Sequence, residues 1–488
     1  MDEEKILSYF KIISSIPRAS HDEKAVSDYI ADFACKRGLD VLQDESYNLI
    51  VKKPAYPPSC TASSLDVSPS PSTSPVILQC HLDMVFVTED EDAHPYKDGI
   101  HIQDDGECLF AEGTSLGADN GIAIAFCLAL LDSQTLVHPP LEIIFTVKEE
   151  VGLAGAAAID LSSLSGTRFI NLDSEEEGVF YTSCAGGLRG RLSWHLKKEA
   201  VSEELCPLDV TLGGLAGGHS GINIGTGGGN AIELIGRLLH MLRDSISFYI
   251  GNIHIPGKTN AIPAEGHFRL YVRPRDREAA AAELKKAERI FQDELSGTDN
   301  PVIRIEQPPS VRQADVYTEK LKKAVIDTLL LLPCGVFGYS HSVPGLVETS
   351  SSLGLLTEEQ DMLTLQLFLR SSVDSRKYML REKVRVIAGR YCDLCTFEND
   401  YPGWKYRKDS PLRATAMELY ETMYQKTPSE AAIHAGLECG YWAYKLPDAD
   451  IISIGPDLYD VHTTREKVSK QSVFSVWNFL TRLLEELS

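Results

Sequence analysis

The chain has 488 residues, with 47 Lys+Arg against 70 Asp+Glu and a formal net charge of −23. Hydrophobic residues make up 43% and charged residues 24%, ordinary globular proportions, and this length predicts two or three domains rather than a single core. The acidic surplus argues against a nucleic-acid or membrane partner, because phosphate backbones and anionic lipid would both repel it.

The start, MDEEKILSYFKIISS, is acidic and amphipathic and lacks the basic opening and apolar block of a signal peptide. No run of about 18 apolar residues offers a membrane span. The 11 cysteines are odd in number and scattered, which suits a reducing, cytoplasmic compartment rather than a disulfide scaffold. Cys392 and Cys395 form a lone C-x-x-C that reads as two ordinary buried thiols.

Residues 5–37 predict two helices, with Ser20 and Asp22 as caps before the second. The Ser/Pro-rich stretch 59–75 has almost no large apolar side chain and predicts a solvated insertion without catalytic content. Strand and helix then alternate: strand 76–80, helix 120–131, strand 141–147, helix 155–161, strand 169–172. That order predicts an α/β layer with a largely covered sheet. After about residue 184 the texture changes to alternating strands (188–196, 267–272, 302–306, 363–370) with helices 231–243, 278–294 and 319–331. From about residue 402 helix, loop and strand return, with strand 451–454 and a final helix 472–487. The pattern is an α/β domain interrupted by a large α+β insertion.

Five places carry chemistry. His81-Leu82-Asp83 follows the first of these strands, with residues 81 and 83 on one face. Imidazole suits zinc, and a nearby carboxylate can fix its ring. Asp119-Asn120-Gly121 opens a helix, where Asp is also an ordinary N-cap. Lys148-Glu149-Glu150 follows a buried strand, Asp173 ends another, and His462 follows strand 451–454. Each alone is weak. Together they place histidines and carboxylates after four strands and at one helix start, where open α/β sheets build sites. Two histidines and several carboxylates without thiolate suit a dinuclear hydrolytic centre, with one carboxylate bridging and a spare one acting as base. H-E-x-x-H, the phosphate loop and the dinucleotide fingerprint are all missing from the sequence. A G-x-S-x-G is present at Gly113–Gly117, but the apolar helical run begins only at Ile122, so Ser115 is a poor nucleophile elbow. The Gly-rich segment 213–229 contains no Lys and reads as a flexible lid loop carrying His219 rather than a phosphate cradle.

HLDMV (81–85), GADNGIA (117–123), KEEVGLAGA (148–156) and NLDSEE (171–176) resemble the aminoacyl-histidine (Xaa-His) dipeptidases, within the dinuclear zinc aminopeptidases, aminoacylases and dipeptidases. GGLAGGHSG (213–221), NAIP (260–263), VETSSSLG (347–354), LRSSV (369–373), YPGW (401–404), IHAGLECG (433–440) and SIGPDLYDVH (453–462) extend the resemblance over nearly the whole chain. It departs at insertion 59–75 and at VHTTRE (461–466), where Pro more often precedes the His.

The resemblance implies an α/β catalytic domain with a central mixed sheet, in two segments, 1–184 and 400–488, and an α+β lid or dimerisation-type domain at 185–399. A homodimer is one assembly it allows. It implies two zinc ions, replaceable by cobalt or manganese: His81 and Asp173 on one, Glu150 and His462 on the other, Asp119 bridging. Asp83 would orient His81, Glu149 would be the general base toward a metal-bridging water, and His219 would stabilise the oxyanion. Asn260 and Arg370 would hold the substrate, Arg370 through its C-terminal carboxylate, and Glu438 would meet its amino group. The implied activity is hydrolysis of unblocked dipeptides, Xaa-His first. The alternatives are an aminoacylase, a tripeptidase, a broad-specificity dipeptidase or a non-catalytic peptide-binding relative.

Overall fold

A computed structural model describes residues 2–57, 74–89 and 99–488. Nearly all of the Ser/Pro-rich stretch therefore lies outside the described residues. The chain resolves into two compact units: the first runs to Cys184 and includes Trp404–Ala432 and Leu437–Ser488, and the second comprises Ala185–Gly403 and Ile433–Gly436. Each has its own apolar core. Local pairing sets these boundaries. Strand Leu394–Tyr401 pairs with Gly186–His195, which keeps the chain in the second unit to Gly403. Trp404 then exchanges both backbone hydrogen bonds with Cys184, at 3.0 Å each, and so re-enters the first. Residues 433–436 rejoin the second unit because the Ala185 amide donates to the carbonyls of Ile433 and Ala435 at 3.1 and 3.0 Å.

In the first unit an eight-stranded sheet runs in the order Asp40–Gln43, Leu49–Lys53, Leu141–Thr146, Val76–His81, Arg168–Asn171, Asp450–Ser453, Val179–Cys184, Ser429–Ile433. Its four middle strands, from Leu141–Thr146 to Asp450–Ser453, are parallel. These strands are buried on both faces, as covered parallel strands must be. Parallel register carries their carboxyl ends to one rim: His81 is level with Thr146, and Gln79 with Asn171, itself level with Ser453. Helix Ala118–Asp132 is apolar all round and buried along nearly its whole length. Helix Lys470–Glu486 is amphipathic and buries Val473, Trp477, Leu480 and Leu484.

The second unit is antiparallel. A four-stranded sheet (Phe248–His254, Gly266–Val272, Cys206–Gly213, Val302–Glu306) and a five-stranded one (Gly335–Tyr339, Val347–Glu359, Met362–Ser371, Gly186–His195, Leu394–Tyr401) accompany helices Ala231–Ser245, Arg277–Glu294, Glu319–Leu331 and Asp374–Tyr391. Helix Ala231–Ser245 begins where the Asn230 side chain accepts from the Ile232 amide at 3.0 Å, an N-cap that fixes its entry.

The early helices form at Asp2–Ser14 and Lys24–Cys35, but neither predicted cap operates. Glu23 occupies the N-cap position without capping the helix. Its carboxylate instead accepts from the amides of His21 and Lys148 at 3.0 Å each. Ser20 donates to Asp83 Oδ2 at 2.8 Å.

Candidate metal centre and active site

Four loops converge beyond the rim of the parallel strands. His81 is the last residue of its strand and is 1% exposed. Glu149 and Glu150 follow Leu141–Thr146, Asp173 follows Arg168–Asn171, and His462 follows Asp450–Ser453 by a longer loop. Asp119 comes from the first turn of Ala118–Asp132, where Asp119 and Asn120 leave helical φ/ψ. The N-cap is Gly117, in the left-handed region at φ 68°, so the Asp119 side chain is free of the capping task.

The two oxygens of Asp119 face different histidines. Oδ1 lies 3.0 Å from His81 Nε2, and Oδ2 lies 3.1 Å from His462 Nε2. His81 Nε2 is also 3.2 Å from Asp173 Oδ1, and His462 Nε2 is 2.9 Å from Glu150 Oε1. Ligand atoms therefore gather as His81, Asp119 and Asp173 on one side and Asp119, Glu150 and His462 on the other, each within 4.8 Å of one another. His81, Glu149 and Glu150 form a third such group. Asn120 Nδ2 donates to Asp173 Oδ1 at 2.8 Å, steadying that carboxylate.

Four carboxylates crowd two imidazoles here, and burial makes that crowding costly without a cation. Burial alone would push His81 down, but Asp173, Asp119 and Asp83 hold its imidazole well above the ordinary range. Hydrogen bonds from its ring to the carboxylates of Asp119 and Glu150 push His462 up to about 11. Burial raises Asp119 less than the two histidines lower it, so its carboxyl stays well below the usual range. Burial, with Asp173 and Glu150 adding to it, pushes the Glu149 carboxyl well up. The imidazole protons thus stand where positive charge is demanded. Nitrogen and carboxylate donors without a thiolate fit two borderline divalent ions.

The second unit brings its own residues together. Gly218–His219 pairs antiparallel with Ala261–Ile262, and the Ser220 amide donates to the Asn260 carbonyl at 2.8 Å. The Asn260 residue itself is exposed. The amides of Gly221 and Ile222 both point at His219 Nδ1 from 3.3 Å. Burial, then the charge of Arg370, keeps the ring below its ordinary pKa, so it is neutral with its proton on Nε2. That nitrogen lies 3.4 Å from Arg370 Nη2, also a donor. Arg370 is 3% exposed and sits over the Phe368 ring at 4.2 Å. Its other polar neighbours are Tyr401 Oη at 3.3 Å and Ser220 Oγ at 3.5 Å, and among the described residues no carboxylate pairs with it. The buried guanidinium thus has only neutral partners here, His219, Ser220 and Tyr401.

Asp83 faces His81 Nδ1 twice, with its backbone carbonyl at 3.1 Å and its carboxylate Oδ1 at 3.5 Å. The same carboxylate also accepts from the amides of Glu149 and Glu150 at 3.0 and 3.2 Å, so it sets the turn bearing both. Glu438, expected to meet a substrate amine, is 0% exposed; its Oε2 accepts from Gln79 and from Thr146 Oγ1, while its Oε1 has no hydrogen-bond partner among the described residues.

Ser115 is fully buried, donating to the Val85 carbonyl at 2.8 Å and accepting from the Val87 amide at 3.1 Å, so it is no nucleophile. Burial pushes the thiol of Cys392 up to about 12 and that of Cys395 up as well, the opposite of a redox pair. Sequence reasoning passed over Arg18 and Glu466, which bond to backbone of the metal-site loops, and His434, whose Nε2 lies 2.7 Å from Ser350 Oγ. Arg18 is a single charge in the turn between two amphipathic helices, and Glu466 is one of many acidic residues. Only their position four residues after His462, or at a helix junction, could have drawn attention to them.

Residues 77–486 match the model of Peptidase family M20/M25/M40. The cytosol non-specific dipeptidase of Escherichia coli (strain K12) is 34% identical over 482 residues, covering 98% of this chain and 96% of that protein. The crystal structure of aminoacylhistidine dipeptidase from Vibrio alginolyticus superposes with a TM-score of 0.90 at 34% identity, over 99% of this chain and 96% of the other. A tripeptidase from Staphylococcus aureus shares the fold alone, with a TM-score of 0.55 at 14% identity, over 99% of this chain and 98% of that one. The family match covers most of the chain and includes every residue of the carboxylate–imidazole cluster, and with it the chain belongs to Peptidase family M20/M25/M40.

Proposed function

We propose that the chain hydrolyses the peptide bond of unblocked dipeptides, Xaa-His among them, with two divalent ions, zinc by preference. The observation that carries this reading is Asp119, one carboxylate whose oxygens face two histidines on two different loops. His81 and Asp173 would hold one ion, Glu150 and His462 the other, and Asp119 both. Bound there, the ions would polarise the scissile carbonyl and acidify a water. Glu149 is raised by burial and is a ligand in neither of the two sets that share Asp119, so it takes the proton of the attacking water and hands it to the leaving amine. His219 Nε2–H is the proposed donor to the developing oxyanion. Arg370, buried without an anion, is the proposed partner of the substrate's C-terminal carboxylate, and Asn260, whose carbonyl accepts from the Ser220 amide, is a second proposed substrate contact. The guanidinium fork suits that bidentate task. The 34% identity to the Escherichia coli dipeptidase and the Vibrio enzyme supports the substrate class, and the name of the former supports a cytoplasmic location.

The test is a panel of Xaa-His, Xaa-Leu, tripeptide and N-acyl amino acid substrates, assayed with zinc and after chelation. Cleavage of dipeptides that chelation abolishes and zinc, cobalt or manganese restores is the expected result. N-acyl substrates cleaved faster than dipeptides would make the chain an aminoacylase. Full activity in verified metal-free protein would remove the dinuclear mechanism.

A further inference from the structure

Two buried side chains of opposite charge grip one peptide turn from its two sides. Glu466 is buried, and its carboxylate accepts four consecutive backbone amides: Leu116 at 2.9 Å and Gly117 at 3.0 Å on Oε2, Ala118 at 2.8 Å and Asp119 at 3.4 Å on Oε1. It caps the helix Ala118–Asp132 in place of the N-cap side chain that Gly117 lacks, and it sets a negative charge at a helix N-terminus. Arg18 approaches the carbonyl side of the same turn. Its Nη2 donates to the Gly117 carbonyl, and its Nη1 donates to the carbonyls of Leu82 and Asp83 at 3.1 and 3.0 Å. Gly117 is required between them. A Cβ there would lie 2.6 Å from Met84 Sδ and 2.7 Å from Arg18 Nη2, on a residue whose φ is already +68°.

The loops so tied carry the ligands. Glu466 lies four residues after His462, Gly117 two before Asp119, and Leu82 directly after His81. Neither Arg18 nor Glu466 belongs to the ligand sets. We infer that Arg18 and Glu466 are positioning residues that act as one clamp through Gly117, fixing Asp119 between the loops of His81 and His462 so that one carboxylate spans two ions. This rests on the dinuclear reading above. It also frees the Asp119 side chain: the first-turn amides of Ala118 and Asp119 are already satisfied by Glu466, so no side chain of this turn is needed to cap them.

The experiment measures metal affinity rather than turnover. Cobalt(II) is titrated into apo protein in competition with a chelator and followed by its visible absorption, for the wild type, Glu466→Gln, Arg18→Lys and the double variant. Gln keeps the shape but replaces one acceptor oxygen with a donor, and Lys keeps the charge but cannot reach both sets of carbonyls. Each single variant is expected to bind cobalt about 10–100-fold more weakly, the usual range for residues supporting ligands. In the double variant the loss should be close to that of one alone, as for two members of one unit. Circular dichroism of the apo proteins selects folded variants, and if Glu466→Gln does not fold, Arg18→Lys carries the test. Unchanged affinity in a folded single variant, or strictly additive losses, would overturn the clamp. Fewer than two cobalt ions per wild-type chain would instead overturn the dinuclear reading.

Discussion

The two units carry opposite imbalances. In the first, four carboxylates gather around two imidazoles and leave negative charge in search of a cation. In the second, a buried guanidinium lies among neutral partners, His219, Ser220 and Tyr401, with no carboxylate among the described ones. A fold selected only for stability would have paired each surplus inside its own unit, because a buried unmatched charge costs several kcal/mol. Each unmatched charge fits a counter-charge that comes from solution, and the proposed roles give metal ions to the first unit and an anionic substrate group to the second.

The largest effect should come from breaking the anionic side. Glu149→Gln should retain both ions and lose about 10²–10⁴-fold in kcat, the range of general-base contributions. Elemental analysis beside kinetics checks this, and a large fall in metal content would make Glu149 a ligand, which its place in the third ligand group makes a real alternative. On the cationic side, Arg370→Lys should cost about 10-fold or more in kcat/KM for dipeptides with a free C-terminus, and markedly less for C-terminally amidated ones. Equal losses on both substrates would take Arg370 out of carboxylate recognition.

The smallest effect concerns stability. Burial, and then the charges of Arg370 and His219, push His434 down to about 3 from an ordinary 6.5. The native state therefore keeps this ring neutral while the unfolded chain protonates it below pH 6.5. Its contribution is fully present above pH 6.5 and is lost as pH falls from 6.5 toward 3. His434→Gln should make denaturant stability less dependent on pH across that window, by up to about 1.4 kcal/mol per pH unit. Parallel wild-type and variant curves would show that the ring is not held neutral.

The α/β alternation and the large insertion were legible because they rest on local periodicity, and His81, Asp173 and the Glu149–Glu150 pair were legible because strand ends mark sites in such sheets. Asp119 was ambiguous for a physical reason: Asp at a helix start is an ordinary cap, and nothing in the sequence says that Glu466, 347 residues away, has taken that task. Asp83 and Glu438 were only partly legible for a related reason. Their residue types suit several roles, and which one holds depends on amides and side chains brought from distant strands: Glu149 for the first, Gln79 and Thr146 for the second. Arg370 stood out only through the resemblance, since its lack of a partner is a property of packing.

The order of the sheet has a consequence in time. Strand Asp450–Ser453 lies between Arg168–Asn171 and Val179–Cys184, so the sheet has an open slot until a segment some 280 residues later is made. At 5–20 residues per second that wait is about 14–56 s on the ribosome. The second unit, nearly continuous in sequence, has all of its residues before the slot can close. His462 and Glu466 are translated later still, within the last thirty residues of the chain. A nascent chain that stops short of residue 450 therefore carries every residue of the second unit, while the first can neither complete its sheet nor bring His462 to His81, Asp119, Glu150 and Asp173.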